Sequence, residues 1–208
     1  MKGLALFGLA LAAPASAQAP PPHIEDKSPA AKDREIRSLA VNLDNVIKAC
    51  SAISVRGGSA DKSIRRPEQA AIDRGLLTYS TDIPPNIVAA SNPRFGKFRF
   101  GKWFDPHAQI LILAYETTPL CLVLVGQSQW VQEARPELYA LIQNDNFWKP
   151  SKIDQLTSES DGSFLHTVFI ADTGNSSQPT ISIMANTGPE KDGNAQLTMT
   201  VSLISKGQ

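Results

Sequence analysis

The stretch ILILAYETTPLCLVLVG, residues 110–126, decides the fold class of this 208-residue chain. Two apolar runs within it, Ile110 to Tyr115 and Leu120 to Val125, are rich in branched residues and typical of buried strands. The connection between them, Glu116 to Pro119, is short enough for the two strands to pair as an antiparallel hairpin. The pattern therefore predicts a hairpin with Cys121 in a buried strand.

Strand patterns continue on both sides of this hairpin. Before it, Phe98 and Phe100 share one face of a strand, with Arg99 and Gly101 on the other. After it, three segments separated by polar turns have strand character: Phe164 to Ala171, Thr180 to Ala185 and Ala195 to Ile204. These segments predict an antiparallel sheet of about six strands, and the sequence shows no usable internal repeat.

An amphipathic helix precedes the strands. From Asp33 onwards, apolar residues recur at three- and four-residue steps: Ile36, Leu39, Ala40, Leu43, Val46, Ile47, Cys50 and Ile53. Cys50 belongs to this apolar stripe, where it can reach a core strand. Gly57 and Gly58 are expected to end the segment, because glycine readily adopts the left-handed conformation that stops helices.

Two further helices are expected, and both are placed by proline. One runs from Pro67 to about Leu77 and the other from Pro136 to about Asn144, since proline is tolerated in the first turn of a helix. Ser128 to Arg135 is compatible with an earlier helical turn or with a strand extension, and prolines keep Asp82 to Arg94 irregular. The predicted fold is α+β, with two to three helices packed on one face of the sheet.

The N-terminus has the pattern of an export signal. Lys2 is followed by a short apolar run, Leu4 to Ala13, and then by the cleavage pattern Ala15-Ser16-Ala17. We expect cleavage before Gln18, with Ala17-Gln18-Ala19 as the second choice. The apolar run is about half of the roughly 20 residues that span a bilayer, so no transmembrane anchor is expected.

These observations divide the chain into three parts and suggest its location. Residues 1–17 form the signal peptide, residues 18–32 a Pro/Ala-rich disordered tether and residues 33–208 a single α+β domain. The expected location is the periplasm or the exterior. Lysine plus arginine and aspartate plus glutamate each number 20, a balance that gives no electrostatic reason to bind nucleic acid.

Cys50 and Cys121 are the only cysteines of the chain. In an oxidising compartment an even pair of this kind predicts a disulfide, which would link the first helix to the hairpin. A nucleophilic role for Cys121 is the rival interpretation. It is disfavoured because no Cys-x-x-Cys pair and no local catalytic signature surrounds this residue.

Residues 94–104, RFGKFRFGKWF, interleave four cations with five aromatic rings. This composition suits a surface that stacks rings and holds anionic groups, with Arg94, Arg99, Lys102 and Trp103 as the candidate ligand-binding residues. The alternative is an edge strand whose aromatic residues enter the core while its cations face water. In that case exchanging Arg99 and Lys102 for glutamine should change stability by no more than about 0.5 kcal/mol.

Candidate catalytic residues are sparse. Asp172-Thr173-Gly174 resembles the active-site triplet of aspartic proteases, but two such triplets must meet and only one is present, so a strand-ending turn is favoured. The histidines, His23, His107 and His166, match no zinc signature, and His166 has no serine elbow to activate. We therefore assign no catalytic residue, metal or cofactor.

The expected function is that of a non-enzymatic binding or interaction protein of the cell envelope. The expected partner is an anionic envelope component, such as a glycan, a peptidoglycan fragment or an acidic protein patch, or else another protein. Two alternatives stay open. One is a secreted or periplasmic hydrolase using His166 or Asp172, with His107 as a further candidate, and the other is an inhibitor of an envelope enzyme.

Overall fold

The described part of the chain begins with two helices, and its strands follow in two groups of four that are separated by a long helix. The structure is a computed structural model, described here for residues 28–54, 66–91, 93–145, 148–157, 163–171, 177–186 and 195–205. Its helices are α1 (Pro29–Ser54), α2 (Arg66–Asp73), α3 (Pro85–Ala90) and α4 (Val131–Asn144), with a 3-10 turn at Pro93–Phe95. Its strands are β1 (Leu77–Ser80), β2 (Phe98–Trp103), β3 (Gln109–Tyr115), β4 (Leu120–Gly126), β5 (Trp148–Thr157), β6 (Ser163–Ala171), β7 (Ser177–Asn186) and β8 (Leu197–Ser205).

All the strands belong to one antiparallel sheet. Its order is β1-β2-β3-β4-β8-β7-β6-β5, so β1 to β4 and β5 to β8 each form a meander in which neighbours in sequence pair. The two meanders meet where β4 pairs with β8. Each meander follows helical structure, α1 and α2 before β1 and α4 before β5, and α3 lies between β1 and β2 of the first meander.

The largest core lies between the sheet and the two long helices. It contains alternate residues of β3, β4, β7 and β8, including Ile112, Val123, Ile183 and Met199, together with the apolar residues of α1 and α4. Because successive strand residues point to opposite faces, these positions define the helix side of the sheet. The predicted α+β fold with an antiparallel sheet is confirmed.

A smaller cluster lies on the opposite face of the sheet. Its buried members are Ile87, Phe100, Leu113, Tyr115 and Leu120. Ile87 belongs to α3, which contributes the only helical residue of this cluster within the described ranges. The sheet therefore has a helix side, where α1 and α4 pack, and a second face to which α3 contributes.

The predicted disulfide is present. Cys50 of α1 and Cys121 of β4 are bonded with an S–S distance of 2.05 Å and a Cα–Cα distance of 5.5 Å. Both residues are fully buried in the main core. The bond therefore fastens α1 to a central strand of the sheet.

The first two helices differ from their predicted bounds for local reasons. The first begins at Pro29 rather than near Asp33, because Ser28 Oγ accepts a hydrogen bond from the Ala31 amide at 3.2 Å and caps the helix. The second ends at Asp73 rather than Leu77. Gly75 has a φ of 69°, the left-handed conformation that commonly ends a helix, and the chain then enters β1.

The other differences come from proline and from strand number. Pro85 begins α3 inside the segment expected to be irregular, and Pro136 lies inside α4, which begins at Val131. Strands β1 and β5 were not predicted, so the sheet has eight strands rather than about six. The predicted signal peptide, residues 1–17, and most of the tether, residues 18–32, lie outside the described residues.

Candidate functional site

The structure does not bring the four predicted ligand-binding residues onto one surface. In β2, Arg99 and Trp103 pair with Ala114 and Ile110, which belong to the helix side of the sheet. Lys102 is exposed and points to the second face. Arg94 is exposed in the 3-10 turn, outside the strand.

Arg99 forms part of a buried ionic network. Its Nη2 lies 3.1 Å from Glu68 Oε1, and the Tyr79 hydroxyl donates a 2.8 Å hydrogen bond to the same oxygen. The guanidinium carbon lies 4.3 Å from the centroid of the Tyr79 ring. Since Glu68 is only 1% exposed, its carboxylate requires this compensation, and Arg99 supplies it by joining α2, β1 and β2.

Trp103 is a core residue. Only 4% of it is exposed, and its indole Nε1 is buried without a hydrogen-bond partner. An indole in this position offers no ring to a ligand at the surface. Of the four predicted residues, Lys102 and Arg94 are therefore the ones whose side chains solvent reaches freely.

The second face of the sheet carries a continuous row of side chains that includes Lys102. Successive Cα partners across six neighbouring strands are Lys102, Leu111, Leu124, Thr198, Met184 and His166. Directly paired residues project from the same face of a sheet, so the row is a shared surface. Leu111 and Leu124 are half-buried, and Met184 is 40% exposed. The surface is thus apolar in its middle, with a cation near one end and an imidazole at the other.

His166 has a hydroxyl partner on the neighbouring strand. Its Nε2 lies 2.7 Å from Oγ of Ser182, and both side chains are half-buried. Asp154 of β5 occupies the register position directly opposite His166. A partner for His166 could not be identified from local sequence, because the pairing of β6 with β7 and β5 is a tertiary feature. Asp172 and His23, the other sequence candidates, lie outside the described residues.

His107 lies in the connection between β2 and β3. Its Nδ1 is 3.8 Å from Glu35 Oε2, an oxygen that also accepts a 2.8 Å hydrogen bond from Trp130 Nε1. The His107 amide donates to Asp105 Oδ1 at 2.7 Å, and Asn42 donates to the other oxygen of that carboxylate at 2.6 Å. These contacts hold the connection against α1 and the start of α4, which is a structural role.

A polar cluster between α4 and β6 was missed by the sequence analysis. Arg135 and Tyr139 are one helical turn apart on α4, and Thr167 lies on the helix side of β6, where it pairs with Ile183. Each of the three has a buried polar atom without a hydrogen-bond partner: Arg135 Nη1, Tyr139 Oη and Thr167 Oγ1. Burial raises the pKa of Tyr139 above its usual value of 10.0, with the neighbouring Thr167 hydroxyl and Arg135 charge opposing the shift.

Among the described residues, no group of three or more His, Cys, Asp or Glu side chains is arranged to hold a metal ion. Within the same ranges, no helix has the length and apolar character needed to cross a membrane. Comparison of the chain with protein-family models, curated proteins and solved structures finds no match.

Proposed function

We propose that this protein is a non-enzymatic binding protein of the cell envelope that holds an anionic amphiphile on the second face of its sheet. The observation that carries the proposal is the row from Lys102 to His166. An apolar surface bordered by polar groups is characteristic of interaction sites on soluble proteins. The apolar part of the ligand would lie on the leucines and its acidic group at Lys102.

The chemistry of the row favours this occupant over a purely polar one. Leu111 is the direct neighbour of Lys102, so charge and apolar surface adjoin. No described acidic residue forms an ion pair with Lys102, which leaves its ammonium group available to an anion. Four strand spacings separate Lys102 from Met184, a span of about 19 Å that suits an extended acyl chain.

Laurate is a suitable probe, because it combines one carboxylate with an apolar chain. Calorimetric titration at low salt should show binding by the wild-type protein that weakens as salt rises, since exposed charges are screened. Lys102→Gln should bind laurate more weakly, and Leu124→Gln should do so by placing an amide in the apolar part. Lys97→Gln is the matched control, because Lys97 is exposed but lies outside the row.

The outcomes separate the proposal from its rivals. Equal affinity of the wild-type protein and Lys102→Gln for laurate at low salt would refute the assignment of the charge. If the protein were retained on acidic cell-wall glycan but did not bind laurate, the proposed contact between an apolar ligand chain and the leucines would be wrong. If Lys97→Gln also lost laurate binding, the effect of Lys102→Gln would reflect the net charge of the protein and not a specific contact with Lys102.

A second candidate function, hydrolysis, is favoured by the 2.7 Å contact between His166 Nε2 and Ser182 Oγ. A serine hydroxyl becomes a nucleophile when a histidine accepts its proton, and a carboxylate commonly orients that histidine. Asp154 has the register position for such a carboxylate. In this reaction Ser182 Oγ would bond to an acyl carbon while its proton moves to His166 and then to the leaving group, whose bond to that carbon breaks. Water would then attack the acyl carbon, and the proton would return to Ser182 Oγ through His166.

A fluorophosphonate probe tests this second function. Attack by Ser182 on phosphorus would expel fluoride and leave a covalent adduct that mass spectrometry can assign to a peptide. The adduct should be absent in Ser182→Ala and His166→Ala and retained in Ser202→Ala, a variant of a half-buried serine on β8. An unlabelled wild-type protein would exclude Ser182 as an activated nucleophile.

A further inference from the structure

Three buried polar atoms without partners lie close together on the helix side of the sheet. They are Nη1 of Arg135, the Tyr139 hydroxyl and the Thr167 hydroxyl. Buried polar groups in folded proteins are nearly always hydrogen-bonded, so each unpartnered group calls for an explanation. Thr167 is only 1% exposed, which means that bulk water does not supply its partner.

The geometry directs the three groups to one place. Arg135 and Tyr139 are at positions i and i+4 of α4, so their side chains are neighbours on one face of the helix. That face lies against β6, because the Tyr139 ring meets the Phe169 ring edge-on with centroids 5.6 Å apart. Thr167 precedes Phe169 by two residues and therefore projects to the same side of the strand. The helix and strand thus bring the three groups together.

The chemistry of the cluster is that of an anion site. A guanidinium group carries hydrogen-bond donors only, and each of the two hydroxyls can donate as well. No described acidic residue forms an ion pair with Arg135, so its positive charge has no counterpart within the described ranges. A single planar guanidinium with two flanking hydroxyls suits the two oxygens of a carboxylate.

We propose that Arg135, Tyr139 and Thr167 form a binding site for a carboxylate group of a ligand. Arg135 and Tyr139 are half-buried and Thr167 is buried, so Thr167 lies at the inner end of the site. Arg135 pairs with the carboxylate, and the two hydroxyls donate to its oxygens. This site lies on the helix side of the sheet and is therefore independent of the row that contains Lys102.

Acetate is the simplest probe of the site. In amide NMR spectra of the full chain, added sodium acetate should shift the signals of residues 135, 139 and 167 in a saturable way, and sodium chloride at the same concentration should not. Arg135→Gln should weaken acetate binding about tenfold or more, because a hydrogen bond to a charged group is lost. Tyr139→Phe and Thr167→Val should each weaken it by about two- to tenfold.

Stability measurements on the same variants distinguish a ligand site from a structural cluster. Tyr139→Phe and Thr167→Val each remove a buried hydroxyl whose neighbour is the other hydroxyl of the site, so the ligand-free variants should melt close to the wild-type temperature. Arg37→Gln is the matched control, since Arg37 is an exposed arginine on α1, and it should bind acetate as the wild-type protein does. Shifts no larger with acetate than with chloride would overturn the proposal, as would equal acetate affinity in all three site variants.

Discussion

Replacing Arg99 by glutamine should destabilise the protein far more than replacing Lys102, although the two cations are three residues apart in the same strand. Arg99 lies 3.1 Å from Glu68, and the side-chain exposures of the pair are 34% and 2%. The substitution therefore takes the guanidinium away from a buried carboxylate that keeps the hydrogen bond from the Tyr79 hydroxyl. Lys102 is exposed and forms no ion pair with any described residue.

The size of the effect follows from the burial of the two partners. Breaking a fully buried ion pair by removing one partner costs about 3–5 kcal/mol. Because solvent reaches a third of the Arg99 side chain, we expect about 2–3 kcal/mol for Arg99→Gln. For a chain of this size the melting temperature should fall by about 4–12 °C. Lys102→Gln should stay within about 0.5 kcal/mol of the wild-type protein.

Urea denaturation of the two single variants measures this difference, and a double-mutant cycle identifies its cause. Glu68→Gln removes the buried charge but keeps an oxygen that can accept from Tyr79. If Arg99 acts by neutralising Glu68, the double variant Glu68→Gln/Arg99→Gln should be clearly less destabilised than the sum of the two single variants. Equal stability of Arg99→Gln and Lys102→Gln, or strict additivity in the cycle, would show that the network does not stabilise the fold.

Three further outcomes are expected. Replacing both disulfide cysteines by serine should lower the free energy of unfolding by up to about 4 kcal/mol, because the bond closes a loop with a sequence separation of 71, and urea denaturation measures the loss. The raised pKa of Tyr139 means that the unfolded chain loses this proton first, so stability should fall as pH rises above 10, and the fall should be smaller in Tyr139→Phe. Gly96→Ala should be more destabilising in thermal melts than Gly75→Ala. Both glycines have positive φ, but a Cβ at Gly96 would lie 2.6 Å from Thr117 Oγ1, whereas a Cβ at Gly75 meets nothing within 4 Å.

The parts of the fold that could be predicted are those in which local pattern and tertiary environment agree. Strands β3 and β4 are nearly continuous apolar runs with a short connection, and α1 has a long apolar stripe. Strand β5, WKPSKIDQLT, contains Pro150 and several charged residues, so its composition argues against a strand. It lies at the edge of the sheet, where a proline that cannot donate to a ladder is tolerated.

The candidate sites were less predictable because they depend on contacts between distant segments. Alternation correctly separated Phe98 and Phe100 from Arg99. It could not show that Arg99 faces the helix side of the sheet. There Arg99 meets Glu68, which is 31 positions earlier in the chain. The cluster at Arg135 was hidden for a different reason. Its helix was expected from Pro136, and residues 128–135 were compatible with a helical turn or a strand extension, so the helical spacing that pairs Arg135 with Tyr139 could not be assigned.

The placement of the disulfide has a consequence for the order of assembly. Both cysteines precede the second meander, one on the long helix α1 and one on β4, the strand that later pairs with β8. A polypeptide that emerges N-terminus first thus contains every atom of the cross-link once residue 121 is out, while the second meander is still to come. The terminal strand β8, made last, then docks on an edge that is already covalently fastened to α1. Formation of the Cys50–Cys121 disulfide can therefore precede completion of the sheet and hold β4 in place for its pairing with β8.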